Sequence, residues 1–279
     1  VGTHLNPDGD ALGSALAMSL FLDQQSIPHE VVCHHGAPRN LRFLPAIDRL
    51  KQVPDQSHDL ALILDLEASD RLGSLLPSFV AIPRWIVIDH HVPHEAPGDL
   101  RLVDTNAAAT ALILAKLFLH LEAEITPDMA TCLLTGIVTD TGSFRFRNTS
   151  AESLAISSVL LERGANLALV SEEVFQRKPL AGTKLLGYTL KNLKLSNQDR
   201  LAWSCIPQSQ FGATGSSDED TEGFVNELLS IETVQIAMLA REPQPGKIRC
   251  SLRSRGGFDV AEVARQFGGG GHRNAAGCN

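Results

Sequence analysis

The chain has 279 residues, enough for one large domain or two medium ones, and its 43% hydrophobic and 20% charged residues are ordinary for a globular protein. A net charge of −8 excludes a general polyanion binder: a long nucleic-acid duplex would meet mostly repulsion, so an anionic partner has to be small and met at a local site. The five cysteines (Cys33, Cys132, Cys205, Cys250, Cys278) are odd in number and include no C-x-x-C pair, which argues against a disulfide framework or structural zinc and for a reducing cytoplasm. The most apolar stretch, Ala107 to Leu121, is too short for a bilayer and carries Lys116 and His120, so no membrane association is expected; no signal peptide is read at the opening Val1-Gly2-Thr3-His4.

In chain order, a helix is expected over Ala11–Gln24 and strands over Glu30–Cys33, Leu60–Leu64 and Trp85–Ile88. Helices follow over Ala107–Leu121, Pro127–Val138 and Ala151–Glu162, with Pro127 suited to a first turn and Ser150 to a cap. Strands alternating with helices imply an α/β unit, residues 1–164, with a mainly parallel sheet covered by helices on both faces. Residues 165–192 read as a helical connector. Residues 193–279 read as a smaller α/β domain, with strands at Leu201–Ile206, Thr233–Ala240 and Ile248–Leu252 and helices at Phe224–Leu229 and Val260–Phe267.

Four segments gather carboxylates and imidazoles. His4-Leu-Asn-Pro-Asp8-Gly-Asp10 is an irregular turn running into a helix; Asp8 and Asp10 suit helix capping as well as they suit a site. The runs Leu62-Ile63-Leu64-Asp65 and Val87-Ile88-Asp89-His90-His91 both end in acids, and ligands of open α/β sheets bind beyond the carboxyl ends of strands. Asp140 ends a helical pattern, where a lone Asp is ordinarily a turn residue. Together these residues exceed what one catalytic metal needs. Mixed carboxylate and imidazole donors suit Mn²⁺ or a similar divalent ion, so a two-metal phosphoryl-transfer site is the natural reading.

At this point the chain resembles the DHH phosphoesterase superfamily, named for the motif present here as Asp89-His90-His91. The match covers the first half in order and spacing: residues 4–10 resemble its first motif, Asp65 its second and Asp140 its fourth. The resemblance implies that His4 and Asp8 bind one metal, that Asp10, His90 and Asp140 bind the other, and that Asp65 bridges them. It also implies that His91 contacts the substrate phosphate and that Asp89 orients the histidines. The catalytic set is then His90, His91, Asp89 and Asp65, with two divalent ions as cofactor, Mn²⁺ or alternatively Mg²⁺.

Phe267-Gly-Gly-Gly-Gly-His272-Arg-Asn-Ala-Ala-Gly277 resembles the DHH-associated nucleotide-binding domain of the branch of bifunctional oligoribonucleases and 3′-phosphoadenosine 5′-phosphate phosphatases. Arg241 to Asn279 holds seven Lys or Arg against three Asp or Glu, and a Gly-rich loop can expose N–H groups as an anion nest. Arg253, Ser254, Gly269, Gly270, Gly271 and His272 are therefore expected to join His91 in binding substrate; a flexible glycine linker is the plainer alternative. Phe144 and Phe146 suit base stacking or core packing equally, and His29, His58 and His120 carry no expected role. The expected function is hydrolysis of very short oligoribonucleotides to mononucleotides, with 3′-phosphoadenosine 5′-phosphate as a further substrate, limited in length by a cleft. Alternatives are a cyclic-dinucleotide phosphodiesterase, a RecJ-like single-strand exonuclease, an inorganic pyrophosphatase and an inactive nucleotide sensor. A homodimer is left open.

Overall fold

Short apolar runs build the first sheet. Strands β1 (Val31–Val32), β2 (Leu50–Lys51), β3 (Ala61–Leu64), β4 (Trp85–Asp89) and β5 (Leu100–Val103) all run parallel, and Gly2 bridges β1 to β3. The period of 2 divides their side chains between two cores. Val31, Leu64 and Ile88 face a large cluster with α1 (Gly9–Gln24), α3 (Thr110–His120) and α4 (Pro127–Asp140). Val32, Ile63 and Val87 face a smaller one under Leu72, Leu75 and Phe79, the last in α2 (Leu76–Val80). Helices α5 (Ala151–Glu162) and α6 (Leu167–Ser171) complete this part. The computed structural model describes residues 1–92 and 97–279, which divide into two units, Val1–Arg177 and Lys178–Asn279.

The second unit begins with α7 (Leu180–Lys191), so the segment 165–192 contributes to both units. Its sheet contains β6 (Lys194–Ser196), β7 (Leu201–Ile206), β8 (Ile236–Gln244), β9 (Lys247–Ser254), β10 (Gly270–His272) and β11 (Ala275–Cys278) in the order β10-β11-β9-β8-β7-β6. Only β7 and β8 pair in parallel; the other pairs are antiparallel. Helices α8 (Gln208–Thr214), α9 (Phe224–Leu229) and α10 (Val260–Arg265) pack on it. Among the described residues no helix is long and apolar enough to cross a membrane.

One expected helix starts late. Ala107–Ala109 precede α3, because its first N–H groups bond to a carboxylate from a different helix rather than to a local cap. That carboxylate belongs to Asp10 and leads to the site.

Candidate metal centre

Asp8 serves both readings of the first motif. Its Oδ1 accepts from the N–H groups of Asp10 and Ala11 at 3.0 Å each and caps α1, while its Oδ2 lies 3.8 Å from His4 Nε2. Asp10 is fully buried and caps α3: it accepts from Thr110 N at 2.6 Å and Ala111 N at 2.8 Å, and from Ser14 Oγ at 3.2 Å. A helix N-terminus favours an anion, so α3 fixes the position of this carboxylate and supplies donors to its oxygens.

Asp65 stands just past β3 in a left-handed conformation, φ 59. Non-glycine residues adopt it at a cost, which the packing around a functional position has to meet. The turn points its carboxylate in two directions. Oδ2 is 3.3 Å from His4 Nε2; Oδ1 is 3.6 Å from His90 Nε2 and accepts from Thr110 Oγ1 at 3.0 Å. Thr110 was not expected from sequence, yet it bonds to both Asp10 and Asp65.

The DHH segment fixes its own rings. Asp89, fully buried at the end of β4, accepts through Oδ1 from His90 N (2.8 Å), His91 N (3.2 Å) and His91 Nδ1 (2.7 Å). His90 Nδ1 lies 3.2 Å from the Ala107 carbonyl, and His4 Nδ1 lies 2.8 Å from the Leu5 carbonyl. A carbonyl only accepts, so both Nδ1 atoms carry hydrogen and both Nε2 atoms turn to the carboxylates. His90 Nε2 is 3.2 Å from Asp140 Oδ2 and 3.9 Å from Asp10 Oδ2.

These side chains form overlapping groups whose ligand atoms lie within 4.8 Å of one another: His4–Asp8–Asp65, Asp10–His90–Asp140 and Asp65–His90–His91. Seven of the eight expected residues of the first unit fall in these groups, and the eighth, Asp89, bonds to His91. The charge balance asks for cations. Burial, then the charges of Asp65 and Asp140, push Asp10 well above the usual carboxylate range, and burial lifts Asp140 to about 6 against the pull of His90. Burial disfavours a charged His4, but the hydrogen bond and charge of Asp65, with Asp8, raise it to about 9. His90 is raised likewise against its burial, mainly by Asp140. Without metal, protons offset the crowded carboxylates. Oxygen and imidazole donors at this spacing fit divalent ions that would replace those protons.

The site is also a packing problem. A Cβ added at Gly136 of α4 would stand 2.6 Å from Asp10 Oδ1 and 2.6 Å from Ala111 Cβ; one at Gly13 would stand 2.3 Å from the Cys132 carbonyl. The close approach of α1 and α4 therefore needs glycine at both contacts. Gly136→Ala is expected to cost about 1–3 kcal/mol by overpacking. Because the clash falls on Asp10 itself, it should also lower turnover about tenfold or more. Thermal melts and kinetics on the same samples check this; an unchanged turnover would contradict the placement of Asp10.

In the second unit the glycine string is not an open loop. The N–H of Gly268 donates to the Arg265 carbonyl and that of Gly269 to the Ala264 carbonyl, closing the C-terminus of α10 with Gly268 at φ 73. Gly270 and Gly271 then enter β10, opposite Gly277 and Ala276 of β11. The reading of Gly268–Gly271 as a nest of free N–H groups is corrected: two of them are committed to the helix cap. Ser254 Oγ donates to the Phe258 carbonyl at 2.9 Å. Arg253 lies beside it on β9, bonds only the Leu252 carbonyl among the described residues, and has its guanidinium pushed down by burial. The side chain of His272 lies outside the described residues. Phe146 is exposed, its ring against Gly142, whereas Phe144 packs on the core. His58 bonds Glu30 and His29 bonds Ser19.

The profile of the DHH family N-terminal domain matches residues 1–137, and that of the DHHA1 domain matches residues 208–279. A Thermus thermophilus protein named bifunctional oligoribonuclease and PAP phosphatase NrnA is 33% identical over 99% of this chain and 82% of its own length. The chain belongs to the DHH family. A Bacillus subtilis protein of the same name is 27% identical over 99% of this chain and 87% of its own. An exopolyphosphatase-related protein from Bacteroides fragilis superposes with a TM-score of 0.92 at 29% identity, covering 100% of this chain and 85% of that one. DHH family members are metal-dependent phosphoesterases, so this chain is a hydrolase, and its Asp and His groups can hold metal.

Proposed function

We propose that this chain hydrolyses very short oligoribonucleotides to mononucleotides and 3′-phosphoadenosine 5′-phosphate to AMP, with two divalent ions of the Mn²⁺ or Mg²⁺ type. The observation that carries the reading is Asp65, whose two oxygens face His4 on one side and His90 on the other. The names of the Thermus and Bacillus relatives support the substrates. His4, Asp8 and Asp65 would hold one ion; Asp65, Asp10, His90 and Asp140 the other. When bound, such a pair supplies Lewis-acid stabilisation of the phosphoryl oxygens and activation of water at neutral pH.

The chain's own groups do the rest. Asp10 is locked by the α3 N-terminus, so the first helix cannot drift from the site. Ala107 and Leu5 hold the imidazoles in the tautomer that presents Nε2. Asp89 accepts a hydrogen bond from His91 Nδ1 and so orients the ring that is proposed to meet a phosphate oxygen. Arg253, Ser254, Gly270, Gly271 and His272 are proposed to meet the nucleotide, chiefly through the two basic side chains. The free cysteines fit a cytoplasmic setting.

Charge sets the expected length limit. Val1–Arg177 carries 12 Lys or Arg against 22 Asp or Glu, and Lys178–Asn279 carries 12 against 10. Phosphates of a long strand would find few cations on the metal-bearing unit, and affinity from counterion release needs them. With Mn²⁺ at one salt concentration, diribonucleotide and 3′-phosphoadenosine 5′-phosphate are expected to turn over, with kcat/KM about tenfold or more lower for single strands of about twenty nucleotides. Equal or rising turnover with length would overturn the reading in favour of a RecJ-like exonuclease. Preferential hydrolysis of cyclic dinucleotides, or of pyrophosphate, would overturn it in those directions.

A further inference from the structure

Three cysteines stand in one row of the second sheet. The register sets Cys205 of β7 beside Ala240 of β8, Ala240 beside Cys250 of β9, and Cys250 beside Cys278 of β11. Residues directly opposed across strands project to the same face, so the three thiols share one side of the sheet. Cys250 and Cys278 are immediate antiparallel neighbours. Opposed Cα atoms in such a pair are about 4.5–5.5 Å apart, inside the window of about 4.4–6.8 Å that a disulfide spans. Both side chains are half-buried, and burial, then the neighbouring Cys278 thiol, pushes the Cys250 thiol up. Cys205 is exposed and lies a further strand away, at roughly twice the strand spacing of about 4.8 Å from Cys250.

We propose that Cys250 and Cys278 form a reversible cross-strand disulfide that ties β11, and with it the glycine hairpin, to β9. The oxidant is a small disulfide such as oxidised glutathione. Cys278 loses its proton, attacks one glutathione sulfur and releases a glutathione thiolate, giving a mixed disulfide. Cys250 then loses its proton and attacks the Cys278 sulfur, releasing the second glutathione thiolate. The protein gives up two electrons and two protons; the oxidant becomes two thiols. The bond would fasten β11 to β9 at the residue three positions before Arg253, whose own neighbour on β11 is Ala275. In a reducing compartment such a bond forms only when the thiol pool is oxidised, so its product is a transient state of the hairpin.

The test uses the folded full chain incubated with excess oxidised glutathione, then alkylation, trypsin digestion and mass spectrometry. The peptides carrying Cys250 and Cys278 are expected to be recovered mainly as one linked species, two hydrogens lighter than their sum, and to separate again after dithiothreitol. Cys278→Ser should remove the linked species, and Cys205→Ser should leave it unchanged. Recovery of Cys250 and Cys278 as separate alkylated or glutathione-bearing peptides would overturn the proposal, as would linkage of either one to Cys205. The readout is a covalent bond in the second unit and does not depend on which phosphoester the protein hydrolyses.

Discussion

Asp65→Asn is expected to fold, to bind less than a full complement of divalent ion, and to lose about a thousandfold or more in phosphoesterase turnover. The fold should survive because asparagine tolerates the left-handed φ of 59 that this turn requires. The amide oxygen can also keep the hydrogen bond from Thr110 Oγ1. What disappears is the negative charge that stands 3.3 Å from His4 Nε2 and 3.6 Å from His90 Nε2, and with it the one side chain, among the described residues, common to the groups around those two imidazoles. Residues that act as one unit lose most of their effect when any member is removed, so the loss should far exceed the effect of deleting an isolated hydrogen bond. Circular dichroism, metal analysis and single-substrate kinetics on one preparation check this. Retained turnover in a variant with reduced metal would separate catalysis from the proposed bridge.

Stripping the metal is expected to abolish turnover, with Mn²⁺ restoring it, and to lower the melting temperature. An ion present at about a hundred times its dissociation constant adds about 2.7 kcal/mol per site to the folded state, which corresponds to several degrees in a unit of this size. The origin of the gain is local: Asp10 is raised by burial and by its carboxylate neighbours, and a divalent cation relieves that repulsion. The pH dependence has a definite sign. His4, lifted to about 9 without metal, must lose its proton to bind through Nε2, so protons compete increasingly as pH falls. Metal affinity should therefore drop by up to about tenfold per pH unit for each proton displaced, and binding should release protons into an unbuffered solution. Calorimetric titrations at several pH values measure both. Affinity that rises as pH falls would contradict the assignment of the imidazoles as ligands.

The gathering of the first-unit carboxylates and imidazoles was legible in the sequence because the apolar runs before Asp65 and Asp89 mark strand ends, and strand ends of a parallel sheet meet at one edge. The order of His4, Asp8, Asp10, Asp65, Asp89–His91 and Asp140 added the family resemblance. Thr110 was not legible: its partners are Asp10 and Asp65, 100 and 45 positions away, and nothing local distinguishes it from any helix-opening threonine. The same long-range cap explains why Ala107–Ala109, good helix formers, lie outside α3. Strands β2 and β6 escaped notice because two or three residues carry too little periodicity, and β5 because its alternation spans only Leu100–Val103. The glycine string suggested an open anion nest from composition alone. Its real constraints are backbone contacts: a Cβ at Gly269 would meet the Gly277 carbonyl at 2.1 Å, and one at Gly271 the Ala275 carbonyl at 2.5 Å.

The central claim is a pair of metal sites sharing Asp65. Crystals grown with Mn²⁺ and measured at the manganese absorption edge test it most directly, through the anomalous difference map. Two peaks are predicted, roughly 3.5–4 Å apart, one within reach of His4, Asp8 and Asp65 and the other within reach of Asp10, Asp65, His90 and Asp140. A single peak, or a pair of peaks of which neither or only one touches Asp65, would contradict the account.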